Sequence, residues 1–167
     1  MQTKKVVMLG LWGAGKTSLV SRFVNQVFSE DYHATLGVKM DTKELTIDSK
    51  PIKLVLWDLA GSEGDFALPK HFLSGSAGYI LVLDSTRVES LETAIDIISD
   101  MRETIGEIPF ILALNKTDLP TKLTLEEVES SLNQAVGQPL EIFPTSAKTG
   151  SNVEKMFEKL GQRLLEI

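Results

Sequence analysis

Lys5-Val6-Val7-Met8-Leu9-Gly10-Leu11-Trp12-Gly13-Ala14-Gly15-Lys16-Thr17-Ser18-Leu19-Val20-Ser21-Arg22-Phe23-Val24 is the stretch whose reading decides the fold. Lys5 to Leu9 is a short apolar run, Ser18 to Val24 reads as a helix, and the glycine-rich segment Gly10 to Thr17 joins them. Strand, glycine-rich turn and helix in that order form the context of a phosphate-binding loop. The glycines let backbone N–H groups curl into a cradle at the positive end of a helix dipole, where anions are favoured. Lys16 adds a point charge for the outer phosphates. Thr17 offers a hydroxyl to a magnesium ion bridging two of them. The expected phosphate-binding set is therefore Trp12, Gly13, Ala14, Gly15, Lys16, Thr17 and Ser18, with Trp12 the odd residue.

Outside that loop the chain reads as α/β. Its 167 residues suit one domain, expected over 1–167. Six strands are expected: Lys5 to Leu9, Lys39 to Ile47, Ile52 to Trp57, Tyr79 to Leu83, Phe110 to Leu114 and Leu140 to Phe143. The second and third are separated only by Asp48-Ser49-Lys50-Pro51, too short for a crossover, so they should form an antiparallel hairpin. Lys39, Asp41 and Lys43 suit its exposed edge. Helical stripes run through Leu91, Ala94, Ile95, Ile98 and Met101, through Leu125, Val128, Leu132 and Ala135, and through Val153, Met156, Phe157, Leu160 and Leu164. Thr124 with Glu127, and Ser151 with Glu154, read as capping boxes. The fold expected is a six-stranded, mostly parallel sheet with one antiparallel strand and helices on both faces.

Composition narrows the function. A net charge of −6 without a basic run argues against nucleic acid as a main partner. The absence of cysteine excludes disulfides, thiol catalysis and prenyl or palmitoyl attachment to this chain. No apolar run approaches the roughly 18 residues that span a bilayer, so a cytoplasmic protein without a membrane anchor is expected.

The residues beyond the loop select the nucleotide. Asn115-Lys116-Thr117-Asp118 follows the apolar run Phe110 to Leu114, beyond the carboxyl end of a strand, where open α/β sheets bind ligands. Asp118 there can accept two hydrogen bonds from the N–H and exocyclic amine of guanine, a donor pair adenine lacks. Ser146-Ala147-Lys148 offers a backbone N–H to the guanine carbonyl and can brace the aspartate loop. In Trp57-Asp58-Leu59-Ala60-Gly61, Asp58 is placed to hold magnesium through a water and Gly61 to meet the terminal phosphate. Thr35, within Tyr32 to Val38, completes the magnesium shell only when a third phosphate is bound. Two loops ordered by that phosphate make a switch.

With these motifs in order, the chain resembles a Ras-superfamily small GTPase, with the Rab and Ras branches nearest, over essentially its whole length. The resemblance implies a P-loop GTPase domain of six strands and five helices, with GTP or GDP and magnesium bound. It implies that Phe28 stacks on guanine, that Tyr32 joins the nucleotide site, and that Lys16, Thr35, Gly61 and Ser62 occupy catalytic positions. Effector, exchange-factor and activating proteins acting at the switches on a monomer are implied as well. Ras and Rab proteins continue into a cysteine-bearing tail, which leaves two readings for this chain: a truncation, or a non-lipidated, perhaps prokaryotic, relative.

Two residues depart from the family pattern. Ser62 stands where relatives carry the glutamine that orients the attacking water, and its hydroxyl is too short to do the same, so slow hydrolysis is expected. Glu63, Asp65, His71 or a partner's residue could replace that group. Trp12 stands where many Ras relatives have glycine near the third phosphate. It is either a surface aromatic in an outward rotamer or a side chain that excludes a Ras-type arginine and contacts another partner. The four arginines, Arg22, Arg87, Arg102 and Arg163, all lie outside the switches, so an arginine finger from either switch is not expected. A GTP-bound scaffold that scarcely hydrolyses, or a regulatory domain of a larger protein, remains the alternative reading.

Overall fold

In the computed structural model, which describes residues 1–31, 37–59, 70–137 and 140–167, the first strand feeds two cores at once. β1 (Gln2–Gly10) sends Val6 and Met8 to one face of a sheet and Val7 and Leu9 to the other, as a strand buried on both faces must. The following elements are α1 (Lys16–Asn25), β2 (Val38–Ile47), β3 (Lys50–Leu59), α2 (Lys70–Leu73), β4 (Gly78–Asp84), α3 (Glu89–Ile105), β5 (Phe110–Asn115), α4 (Leu125–Val136), β6 (Ile142–Pro144) and α5 (Val153–Leu165). The strand order is β2-β3-β1-β4-β5-β6. β2 runs antiparallel to β3 at the sheet edge, and the other pairings are parallel.

One core lies between the sheet and α1 with α5, where Phe23 stacks on Phe157 with ring centroids 4.0 Å apart. The other lies under α3 and α4, where Tyr79 stacks on Phe110 at 4.7 Å. The expected stripe of α5 is buried throughout, and in α3 the stripe is buried or packed against the core. In α4 the expectation holds only at the centre: Val128 and Leu132 are buried, whereas Leu125 and Ala135 are exposed. The twelve residues of α4 span about 18 Å, and the three of β6 only about 10 Å, so the helix ends overhang the strand they cover.

Three local expectations need correction. β3 starts at Lys50, which reduces the hairpin turn to Asp48-Ser49, both at positive φ (49° and 64°), the twist a two-residue turn favours. Pro51 is tolerated because it precedes the first β1–β3 pair, Gln2 with Ile52, and faces only Thr46. β6 begins at Ile142 rather than Leu140, since the Leu140 N–H donates to Asn133 Oδ1 of α4 at 3.1 Å. The capping box at α4 forms, with Glu127 N–H donating to Thr124 Oγ1 at 3.2 Å and Thr124 N–H to Glu127 Oε2 at 3.0 Å. The one proposed for Ser151 and Glu154 does not. α5 starts one residue later, after Asn152 at φ +57°, whose side-chain amide donates to Pro144 O at 2.9 Å and ties the helix start to β6.

Candidate functional site

Parallel strands β1, β4 and β5 end at one edge of the sheet, and the segments following β1, α1, β5 and β6 surround a cavity of about 540 Å³ there. The turn from β1 to α1 forms its floor. Gly10 (φ +145°) lies so close to β4 that a Cβ would stand 2.3 Å from Val82 O. At Gly15 (φ +104°) a Cβ would stand 2.2 Å from Asn115 Nδ2. Both positions need glycine for conformation and for space.

The loop's carbonyls are held by side chains. Lys16 Nζ, buried, donates to Gly10 O at 2.9 Å and Leu11 O at 3.0 Å. Arg87 Nη1 donates to Trp12 O at 2.6 Å, Lys116 Nζ to Gly13 O at 2.6 Å, and Asn115 Nδ2 to Ala14 O at 3.0 Å. Lys116 also pairs with buried Asp84 at 2.9 Å. Burial pushes the Lys16 ammonium down to about pKa 8; the Asp58 carboxylate opposes this and the Arg87 charge adds to it.

Asp58, near the end of β3, is 1% exposed. Its Oδ2 accepts a hydrogen bond from Thr17 Oγ1, and among the described residues its Oδ1 meets no donor. Burial raises the Asp58 pKa, against the lowering effects of the Thr17 hydroxyl and the Lys16 charge.

At the opposite end, Ser146 Oγ donates to Asp118 Oδ1 at 2.7 Å and accepts from Thr149 N–H at 3.1 Å. Thr145 Oγ1 donates to Asn115 Oδ1 at 3.2 Å. Arg22 of α1 donates through Nε to Ala147 O at 2.7 Å and through Nη2 to Lys148 O. Lys148 Nζ pairs with Glu30 at 2.7 Å across the cavity mouth.

The sequence-expected residues Gly13, Gly15, Lys16, Thr17, Ser18, Phe28, Asn115, Lys116, Asp118, Ala147 and Lys148 all line this cavity. Phe28 also packs against the α1–α5 core, so its anchoring and lining positions coexist. Trp12 is half-buried and lines the cavity as well. Ala14 and Ser146 are buried behind it. Tyr32, Thr35, Gly61 and Ser62 lie outside the described residues, as do His33, Glu63 and Asp65. His71 is exposed in α2 with its ring 4.1 Å from that of Phe72, and it is not among the cavity's lining residues. Arg22, Asp84, Arg87 and Thr145 hold the site together although no motif contains them. Their contacts cross up to 126 positions of sequence, which no local pattern reports.

A β1–loop–α1 cradle with a buried lysine, beside strand-end loops presenting Asn115, Lys116 and Asp118, defines a P-loop nucleotide-binding protein. The Ras family model matches residues 5–166. The chain is 37% identical to the Ypt/Rab-type GTPase ypt7 of Schizosaccharomyces pombe, over 97% of its own length and 82% of that protein's. It is 35% identical to the Ras-related protein Rab11E of Lotus japonicus, over 98% of its own length and 75% of that protein's. The chain belongs to the Ras family and is Rab-like: a GTP-binding switch protein that hydrolyses GTP. Regulators and effectors come with that membership in general. No described helix is long and apolar enough to cross a membrane.

Proposed function

We propose that the cavity takes GTP and GDP with magnesium, base at the Asp118 end and phosphates in the Gly10 to Thr17 loop, and that hydrolysis is slow. The observation that carries this reading is the joining of the two ends: Asn115 and Lys116 donate to Ala14 O and Gly13 O, so the base-reading loop and the phosphate loop hold each other in register. Asp118 reads the guanine N–H and amine while Ser146 donates to one of its oxygens and fixes the carboxylate's orientation. Ala147 N–H meets the guanine carbonyl, and Phe28 and Lys148 lie against the base. Gly13, Ala14, Gly15, Lys16 and Ser18 surround the phosphates, with Trp12 at the outer end, and Tyr32, outside the described residues, is assigned to nucleotide binding.

The metal site fits magnesium. Asp58 Oδ1, buried and without a donor among the described residues, stands with the Thr17 hydroxyl as a hard oxygen set of the kind this ion takes. Thr17 and Thr35 would bind it directly and Asp58 through a water. Bound there, the ion neutralises charge on the outer phosphates. Thr35 and Gly61 sense the third phosphate, Lys16 stabilises transferred charge, and Ser62, unable to orient water as glutamine does, leaves turnover slow. Effectors, exchange factors and activating proteins then read or reset the two loops.

Purified protein should release guanine nucleotide on denaturation, mostly GDP after hours at 25 °C; persistent GTP would favour a scaffold that scarcely hydrolyses. Asp118→Asn should lose about a hundredfold in guanine affinity, because a paired charged acceptor is replaced by an amide that opposes the guanine donors, and should gain affinity for xanthine nucleotides. Unchanged guanine preference would exclude this base-reading role.

A further inference from the structure

Arg87 belongs to no nucleotide motif, yet it is the side chain that holds Trp12 O. It leaves the turn between β4 and α3, where Thr86 N–H and Oγ1 both donate to Asp84 Oδ1, at 2.9 and 2.6 Å. Its Nε pairs with Glu89 Oε1 of the first turn of α3 at 3.2 Å, which orients the guanidinium, and Nη1 then reaches Trp12 O at 2.6 Å. The same Nη1 would lie 3.8 Å from a Cβ at Gly13. With Lys116 on Gly13 O and Asn115 on Ala14 O, three successive loop carbonyls, those of residues 12, 13 and 14, are held by three side chains from the end of β5 and the turns after β4 and β5.

A trans peptide directs its C=O and its N–H to opposite sides. Fixing Trp12 O toward Arg87, which does not line the cavity, therefore turns the Gly13 N–H toward the cavity that Gly13 lines. We propose that Arg87 is a positioning residue for GTP hydrolysis, fixing the Trp12–Gly13 peptide so that the Gly13 N–H faces the charge that develops on the phosphates. This rests on the placement of the phosphates argued above. In the reaction, water attacks the terminal phosphorus, the bond from that phosphorus to its bridging oxygen breaks, the electron pair stays on GDP, and the proton leaves with inorganic phosphate. Donors already aimed at that growing charge act without reorganising, and losing one aimed donor in a site of this kind costs rate more than ground-state affinity. The charge of Arg87 reaches the loop from an element outside both switches, through a backbone carbonyl rather than as a finger on the phosphate.

Single-turnover GTP hydrolysis and GDP affinity of the full chain separate this role from simple support of the loop. Arg87→Met, which keeps the aliphatic stem and removes the donors, should slow hydrolysis about tenfold while the GDP dissociation constant changes less than threefold. Arg87→Lys, which keeps one charged donor for one carbonyl, should recover at least a third of the wild-type rate. Met-variant rates within twofold of wild type, a loss of GDP affinity as large as the loss of rate, or a lysine variant as slow as the methionine one would each overturn the proposal. Should the methionine variant not fold, the lysine variant decides: its rate then lies between a third of wild type and wild type, or the proposal fails. Wild-type protein that holds GTP without turning it over overturns the hydrolytic role alone. Wild-type protein that holds no guanine nucleotide overturns the placement of the nucleotide itself.

Discussion

At the Asp118 end of the cavity, proposed for the base, the groups are fixed by neutral and long-range partners, Ser146 on Asp118 and Arg22 on the carbonyls of Ala147 and Lys148. At the Gly10 to Thr17 end, proposed for the phosphates, side-chain donors, three of them cationic, hold the backbone carbonyls. On the placement proposed above, the base end presents a side chain whose chemistry selects the ligand, and the phosphate end presents peptide dipoles whose orientation selects it. Substitutions at the first should change which nucleotide binds. Substitutions at the second should change how tightly any nucleotide binds and how fast it reacts.

The sharpest break in that contrast is Gly15→Ala. The new Cβ would displace the Asn115 amide from 2.2 Å and strain a φ of +104°, separating the two ends from each other. With one or two charge-assisted phosphate contacts misaligned, affinity for GDP and GTP should fall about a hundredfold, equally for guanine and xanthine nucleotides, measured by equilibrium titration. Ser62→Gln, alone and with Trp12→Gly, should raise single-turnover hydrolysis about tenfold while leaving base selectivity untouched. An unchanged rate in both would show that water orientation is not what limits the phosphate end.

A smaller effect follows from Lys16. Its folded-state pKa, lowered from 10.5 to about 8, means that above pH 8 the empty folded protein sheds a proton that the unfolded chain keeps until about 10.5. The desolvation cost of the charged form is thus present below pH 8 and relieved as pH rises through that window, so this group makes the empty protein more stable with pH from about 8 to 10.5. Phosphate binding restores the charge. Nucleotide affinity should therefore decline above pH 8, by up to about tenfold per pH unit, with proton uptake visible by calorimetry in buffers of different ionisation enthalpy. Least affected should be Glu30→Gln. The Lys148–Glu30 pair at the cavity mouth is exposed on both sides, so GDP release should quicken less than about threefold, and less still in high salt.

The same division explains what could be read from sequence. The phosphate loop, Asn115 to Asp118 and Ser146 to Lys148 are runs of adjacent residues whose spacing is their chemistry, and the cavity gathers them. The strands were legible because burial on both faces writes continuous apolar runs into β4 and β5. Errors arose where a local signal competed with a tertiary contact. Ser151 and Glu154 have the spacing of a capping box, but Asn152 bonds to Pro144 O and delays the helix. Leu140 has strand character, but its N–H is taken by Asn133.

The sequence by itself determined the family, the six-stranded sheet with its antiparallel β2–β3 hairpin and most of the residues that line the cavity, because these are written in apolar runs and in short segments of fixed spacing. Tertiary structure alone decided which carbonyls of the phosphate loop are held and by whom. Arg87, 75 residues from Trp12, and Arg22, 125 from Ala147, act where separate strand and helix ends converge, and only closing the sheet brings them there.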